Sequence, residues 1–425
     1  MLLEFRLRNF RSFREETALS LIASSDPHLV ETNAFAVNLT GLPNALRSAV
    51  LFGANASGKS NFLRAIGYMR SVILESHAVL PGQTYFVQPF RLHEKSAKEA
   101  TLFEATILLD GIRYQYGFEM TPDRIIAEWL LVYRKAKPQR WFDRRFDPKS
   151  GEDVITPGDN LAGQKSVWRE ATRPNALFLS TAVQLNSEQL RPIYTWFAES
   201  LVVLPEGGQI STDFSMDRVQ SPEGNRSIVG LMLAADIAIA SISAVRQKSL
   251  QHKFTYDEFT GQSDARAEER ELLFPRFTHQ VGSIKADFDF FDESQGTQKL
   301  FTLAGPLFDI IENGKVLVID ELERSLHPLL VRQIIKTFHD PELNRHGAQL
   351  VFSTHDTSLL DSSFLRRDQI WLTEKNAEQS STLMPLTAFS PRKGEALEKG
   401  YLGGRYGGVP ILENTLVGRV PSGQR

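Results

Sequence analysis

The sequence predicts an α/β fold in which buried parallel strands present ligand-binding residues at their carboxyl ends. Three stretches carry that expectation. Ser48 to Phe52 is a short apolar run followed by Gly53-Ala54-Asn55-Ala56-Ser57-Gly58-Lys59-Ser60, after which apolar residues recur at Phe62, Ile66, Met69 and Ile73, a helical spacing. Val316-Leu317-Val318-Ile319 is a second apolar run, and it ends in two acids, Asp320 and Glu321. Gln349 to Ser353 is a third, ending in Thr354-His355-Asp356.

The first stretch fits G-x-x-x-x-G-K-[ST], the phosphate-binding loop. Glycines let the backbone turn its N–H groups inward around a polyphosphate, and the helix N-terminus adds partial positive charge. The expected nucleotide contacts are Gly53, Asn55, Ala56, Ser57, Gly58, Lys59, Ser60 and the following Asn61. Lys59 would reach the β- and γ-phosphates, and Ser60 would hold Mg²⁺ through its hydroxyl. Asp320 is expected to hold the same metal, and Glu321 to orient and polarise an attacking water. The plain alternative for this pair is a strand that ends in solvent. For His355, an imidazole can donate a hydrogen bond and partly charge against a phosphate. A lone histidine after a strand is usually structural, but its order after the acidic strand favours a role at the site.

Composition bounds the rest. The chain has 425 residues, more than one compact core commonly uses. Hydrophobic residues at 42% and charged residues at 23% describe a soluble globular protein. No apolar run is long enough to span a bilayer, and the first residues do not form a signal peptide, so no membrane and a cytoplasmic location are expected. Without cysteine, disulfides, thiolate zinc sites and iron–sulfur clusters are excluded. A net charge of −3 argues against a globally basic nucleic-acid surface and leaves local patches open.

Along the chain, Leu3, Phe5 and Leu7 share one strand face, with Glu4, Arg6 and Arg8 on the other. Asn9-Phe10-Arg11-Ser12-Phe13 follows. Ala100 to Leu109 and Arg113 to Glu119 read as strands joined at Asp110-Gly111, and Ile125 to Tyr133 continues them. The run Arg134 to Phe146 interleaves basic and aromatic residues. It reads either as a nucleic-acid surface or, more simply, as a hairpin with one solvated and one packed face. Asn175 to Ser180 is expected to be a strand leading to a helix near Gln184. From about 205 to 285 the chain is polar and helix-favouring without sustained heptads. Glu293-Ser294-Gln295-Gly296-Thr297-Gln298 opens a helix carrying Leu300, Leu303, Leu307 and Ile310, and Tyr401 to Pro410 is dense in glycine, a sign of tight turns.

Taken together, these motifs resemble the ABC-type ATPase heads of the RecF, SMC and OLD group. The resemblance rests on N-F-R-S-F about forty residues before the phosphate loop, on E-S-Q-G-T-Q as a variant of the L-S-G-G-Q signature, on the acidic strand with Ser325-Leu326-His327-Pro328, and on T-H-D. The closing glycine stretch resembles RloA-like ATPases of prokaryotic defence loci. The resemblance implies an ABC-type P-loop head with a β-rich insertion and a short helical insertion. Its parts would be residues 1–80 with the phosphate loop, a β-rich lobe at 81–175, a glutamine segment at 176–204, a helical insertion at 205–285, the second part of the head at 286–375 and a closing tail at 376–425. It implies ATP and Mg²⁺, adenine resting on the family alone. Arg11 would approach the phosphates, although a surface arginine in a turn is an equal reading. Gln184 would contact Mg²⁺ and the attacking water, with Gln88 as its rival. Ser294 and Gly296 would reach the γ-phosphate bound by a second subunit, and Ser325 and His327 would pack at that dimer interface. Read without the family, Ser294 is a helix cap.

The implied protein is a homodimer closed around ATP, with a higher oligomer and a nucleic-acid partner left open. The first functional expectation is a regulatory ATPase in antiphage defence, acting on a separately encoded RloB-like or nuclease effector. Its support is that only 69 residues follow Thr354-His355-Asp356, about fifty of them in the closing tail, where OLD nucleases carry a nuclease domain. The second is a DNA-repair ATPase, and the third a self-sufficient nuclease.

Overall fold

The structure is a computed structural model and describes residues 1–39, 41–204, 211–256, 263–392 and 394–410. At its centre is a six-stranded sheet in the order Leu201–Leu204, Val316–Ile319, Gln349–Ser353, Ser48–Gly53, Ile370–Lys375, Ser381–Pro385. All neighbours run parallel except the last pair. Both faces of this sheet are covered, which is why its strands read as unbroken apolar runs. Ala49, Leu51, Val316, Val318 and Val351 point into one core, shared with the helix Lys59–Glu75. Val50, Phe52, Leu317, Ile319, Leu350 and Phe352 point into another, shared with the helices Gln295–Asn313 and Pro328–His339. The α/β head expected from the sequence is therefore present.

The region expected to be β-rich supplies five strands of a seven-stranded antiparallel sheet in the order Glu152–Pro157, Gln139–Asp147, Ile125–Tyr133, Ile112–Met120, Thr101–Leu109, Leu2–Arg8, Thr17–Ser20, the last two coming from the N-terminal segment. Its hairpin turn at Asp110-Gly111 has φ of 51° and 74°, the doubly left-handed turn that this dipeptide favours. The N-terminal strand belongs to this sheet, pairing Phe5 with Ala105 and Arg6 with Glu104. The helix Lys59–Glu75 is sandwiched between the two sheets, because one continuous core joins Phe5, Phe103 and Tyr116 to Phe62, Ile66 and Leu51. A helix so placed must be apolar over most of its circumference, and Phe62, Leu63, Ala65, Ile66, Tyr68 and Met69 are all buried.

In the basic–aromatic run, Trp141, Phe142 and Arg144 of Gln139–Asp147 are buried, while Arg140 and Arg145 are exposed. That is the one-face-packed hairpin. Arg144 is enclosed with two carboxylates, Asp153 at 3.0 Å and Glu128 at 3.8 Å.

Three local expectations are corrected. The strand expected at Asn175 to Ser180 is instead the start of a helix, Phe178–Gln184. Buried Glu128 explains it, since its carboxylate accepts the N–H groups of Phe178 at 2.6 Å and Leu179 at 2.9 Å, satisfying donors that a helix N-terminus leaves open. Among the described residues, the expected helical insertion is helical over Asp213–Val219 and Pro222–Ala234, the second capped by the Ser221 hydroxyl on Gly224 N at 3.0 Å. Beyond it, Ser241–Tyr256 and Ser263–Val281 form a long antiparallel ribbon, extended by Ile284–Asp289. The charge-dense sequence from Ala265 to Leu272 lacks a period-two apolar pattern and so conceals a strand. Lastly, the expected boundary at 375/376 falls inside a hairpin, because Ser381–Pro385 pairs with Ile370–Lys375 as the edge of the central sheet. Residues 205–210, 257–262 and 411–425 lie outside the described residues. Among the described residues, no helix is long and apolar enough to cross a membrane.

Candidate nucleotide-binding site

Strand order builds the site. Gln349–Ser353 lies between the phosphate-loop strand and the acidic strand, with Ser353 opposite Leu51 and Phe352 opposite Ile319. Gly53, Asp320 and Thr354 thus leave the sheet at the same edge. The loop then turns with Ala56 at φ 59° and Gly58 at φ 124° before the helix Lys59–Glu75 starts.

Lys59 is buried, and its Nζ donates to Gly53 O at 2.8 Å and Ala54 O at 3.2 Å. Burial pushes its ammonium below its ordinary pKa, opposed by the negative charges of Asp320, Glu321 and Glu323. Loop lysine and strand acids therefore face one another across the middle strand. Ser353 fixes both acids: its hydroxyl donates to Asp320 Oδ1 and accepts the Glu321 backbone N–H at 2.9 Å. Glu321 sits at φ 50°, a left-handed conformation that this anchoring holds. His355 is beside it, with Nε2 3.9 Å from Glu321 Oε1, and its backbone N–H donates to Glu323 Oε1 at 2.6 Å.

The donor set fits a Mg²⁺ ion. Asp320 Oδ2 is buried with no hydrogen-bond partner, and Ser60 lies half-buried in the first turn of the loop helix. Among the described residues no group of three or more His, Cys, Asp or Glu converges on one point. One hydroxyl, one carboxylate and phosphate oxygens are the ligands a Mg²⁺ nucleotide uses, so no all-protein cage is needed.

Arg11 has φ 50°, and its N–H donates to Gln88 O at 2.7 Å. Asn61 Nδ2 donates to Ser12 Oγ at 2.9 Å, tying the N-F-R-S-F segment to the loop helix. A cavity of about 300 Å³ opens here, lined by Arg11, Ser12, Asn61, Gln88 and Lys375 among others. Gln88 is thus beside the start of the loop helix, and Gln184 is not. Gln184 ends the helix Phe178–Gln184 and is exposed, and that helix packs on the far end of the loop helix, where Ser180 Oγ donates to Ile73 O at 2.6 Å. About 20 Å of helix separates Ile73 from Lys59.

Ser294 caps the helix Gln295–Asn313, its hydroxyl accepting Thr297 N–H at 3.1 Å, and Gln298 Nε2 donates to Glu293 O at 2.7 Å. Gly296 packs against the Ser325 carbonyl, which a Cβ would meet at 3.2 Å. His327 caps Pro328–His339, with Nδ1 accepting Leu329 N–H at 3.2 Å. The signature-like turn and the Ser325 turn therefore touch, and Ser294 and His327 each cap their own helix.

Sequence reasoning passed over Ser353 and Glu323. A serine closing an otherwise apolar strand was a readable signal for Ser353. Nothing local marks Glu323, whose role depends on the backbone N–H of His355, just past the neighbouring strand.

The fold and this convergence of glycine loop, buried lysine and strand-end acids define a P-loop ATPase of the AAA/ABC type. The chain belongs to the family described as "AAA domain, putative AbiEii toxin, Type IV TA system", matched over residues 48–361. No curated protein matches it. Among solved structures it is similar to the SMC head domain from Thermotoga maritima, at 14% identity and a TM-score of 0.38, over 90% of this chain and 98% of that one. It is also similar to an SMC head bound to the C-winged helix domain of ScpA, at 12% identity and a TM-score of 0.38, over 90% and 96%. Likenesses of that size carry no functional argument.

Proposed function

We propose that the chain binds ATP with Mg²⁺ and hydrolyses it, and that two copies close face to face around the nucleotide. The observation that carries this reading is the buried Lys59 ammonium set against Asp320, Glu321 and Glu323. Lys59 exchanges the Gly53 and Ala54 carbonyls for β- and γ-phosphate oxygens. Ser60 and Asp320 hold Mg²⁺, which neutralises charge on those phosphates. Glu321 takes the proton of the attacking water, and His355, its neighbour, donates to the γ-phosphate. Asn55, Ala56, Ser57 and Gly58 contribute loop backbone, while Arg11 and Asn61 line the cavity that continues from the loop helix. Gln88, in that cavity, is favoured over Gln184 for positioning water.

In a closed pair, Ser294 and Gly296 of one copy approach the γ-phosphate held by the other, with Ser325 and His327 at the interface. The exposed start of the signature helix suits this, since N–H groups there bind anions. The γ-phosphate then decides whether the pair stays closed, an order of events that makes hydrolysis a switch. The family description names a toxin of a toxin–antitoxin system. A toxin–antitoxin pairing fits a regulatory ATPase that acts with a separately encoded partner; its RloA-like character and its role in defence rest on the motif resemblance. The second reading is an ATPase stimulated by DNA. It is favoured by the exposed cluster Arg134, Lys135, Lys137 and Arg140 at one turn of the antiparallel sheet.

The test is turnover and size of the wild-type chain and of Glu321→Gln with Mg·ATP. We expect hydrolysis by the wild type, and at least a hundredfold slower turnover with a persistent dimer for the variant. Equal turnover in both would remove Glu321 as base, and a wild-type chain that does not bind ATP would end the nucleotide reading.

A further inference from the structure

We propose that Thr373 and Ser381, on the last hairpin of the central sheet, are positioning residues that hold the phosphate loop in its nucleotide-binding shape. The inference rests on the ATP-binding reading and extends it to a part of the chain outside the loop, the acids and the signature-like turn.

Thr373 lies directly across from Gly53 in the parallel pairing of Ile370–Lys375 with Ser48–Gly53. Its Oγ1 is 2.5 Å from Ser57 Oγ and donates to Phe52 O at 3.2 Å. A hydroxyl has a single proton to give. With Thr373 donating to Phe52, Ser57 must donate to Thr373. The Ser57 proton is thereby engaged outward, into the sheet, and not towards a phosphate. Ser381, on the antiparallel partner strand, donates from Oγ to Ser57 O at 2.6 Å. Its backbone N–H donates to Ser12 O at 2.7 Å, beside Arg11. Ser57 is thus held at both side chain and carbonyl, and the Arg11 segment hangs on the same strand. Ser57, Thr373 and Ser381 are all buried.

The glycines of the loop bear the imprint of this clasp. A Cβ on Gly53 would lie 2.2 Å from Thr373 Oγ1, and one on Gly58 would lie 2.5 Å from Ser381 Oγ and 2.8 Å from Ser381 Cβ. Both motif glycines therefore do two things: they turn N–H groups towards the phosphates, and they let the hairpin approach from behind. A loop held in its bound shape beforehand loses less freedom on taking up ligand, which raises affinity without adding any contact to the ligand.

The experiment measures Mg·ATP affinity by calorimetry, KM and kcat for hydrolysis, and the unfolding midpoint without nucleotide. The proteins are the full chain and its Thr373→Val, Thr373→Ser and Ser381→Ala variants. Thr373→Val keeps the shape and loses the hydroxyl, so we expect Kd and KM to rise about five- to tenfold with kcat changed less than about twofold. Thr373→Ser keeps the hydroxyl and should bind within about twofold of wild type. Ser381→Ala should weaken binding like Thr373→Val. If Thr373→Val does not fold, Ser381→Ala decides, because it removes one bond and leaves the strand intact. Wild-type affinity in Ser381→Ala and Thr373→Val, or an equal loss in Thr373→Ser and Thr373→Val, overturns the inference while the ATP reading stands. A wild-type chain with no affinity for ATP overturns both.

Discussion

The Ser353 hydroxyl donates a hydrogen bond to Asp320 across two neighbouring parallel strands. The same oxygen receives the Glu321 N–H, so one small side chain sets the direction of the carboxylate proposed to hold Mg²⁺ and the backbone of its neighbour. Ser353→Ala removes both bonds and frees the Asp320 carboxylate to rotate. We expect the Mg²⁺ concentration for half-maximal hydrolysis to rise about tenfold and the fold to lose about 1 kcal/mol. A magnesium titration of turnover, with urea unfolding alongside, checks it, and an unchanged magnesium requirement would show that Asp320 does not depend on Ser353.

Ala56 carries φ 59° within the loop, where an L side chain costs roughly 1–2 kcal/mol, and it is exposed. Glycine removes that strain but returns about 0.5–1 kcal/mol of chain entropy to the unfolded state. Ala56→Gly should therefore raise the unfolding free energy by about 0.5–1 kcal/mol, and Ala56→Val should lower it by more than that. Urea unfolding of both variants is the measurement. A destabilised Ala56→Gly would mean that the alanine methyl makes a contact worth more than the backbone strain.

How far the architecture could be read in advance depended on how local its causes are. The central strands were legible because burial on both faces writes itself as a contiguous apolar run, as at Val316–Ile319. The Asp110-Gly111 turn was legible because its chemistry lies within two residues. The helix Phe178–Gln184 was not, since the Glu128 carboxylate that caps it is fifty residues away in sequence. The ribbon of Ser241–Tyr256 and Ser263–Val281 was not, since its charge masks the period of a strand. Within the site, Lys59, Asp320 and Glu321 belong to motifs and could be named. Ser353, Glu323 and Thr373 act through bonds to segments distant in sequence, so no spacing along the chain marks them.

Acid should weaken this fold through one histidine. His339 is almost fully enclosed, with Nε2 2.8 Å from Ser48 Oγ and 3.3 Å from Gln369 Nε2, at the end of the loop strand opposite the site. Burial, with the nearby Arg47 charge, lowers its pKa to about 3. In the unfolded chain it would titrate near 6.5. Between those values the unfolded state binds the extra proton, so stability is complete above about pH 6.5 and is lost as pH falls towards 3. The loss by pH 4 is on the order of a few kcal/mol. His339→Asn lacks the titrating group and should show a flatter dependence across that window. Unfolding midpoints from pH 4 to 8 for both proteins test this, and parallel curves would assign the acid sensitivity elsewhere.

The two glutamines give the sharpest contrast between motif order and geometry. Gln184 follows the expected order along the chain, yet it is exposed on a helix that packs about 20 Å along the loop helix from Lys59. Gln88 precedes Pro89-Phe90, is half-buried, and lines a cavity with Arg11 and Asn61, one residue beyond Ser60. A side chain that positions water must reach the proposed phosphate position, and of the two glutamines Gln88 lies nearer the start of the loop helix. Gln88→Ala is expected to lower kcat about tenfold or more, with Gln184→Ala within about twofold of wild type. Steady-state turnover at saturating Mg·ATP separates them. The reverse outcome would require the helix Phe178–Gln184 to move to the nucleotide during the cycle, and the buried bonds from Glu128 to Phe178 and Leu179 would then have to break.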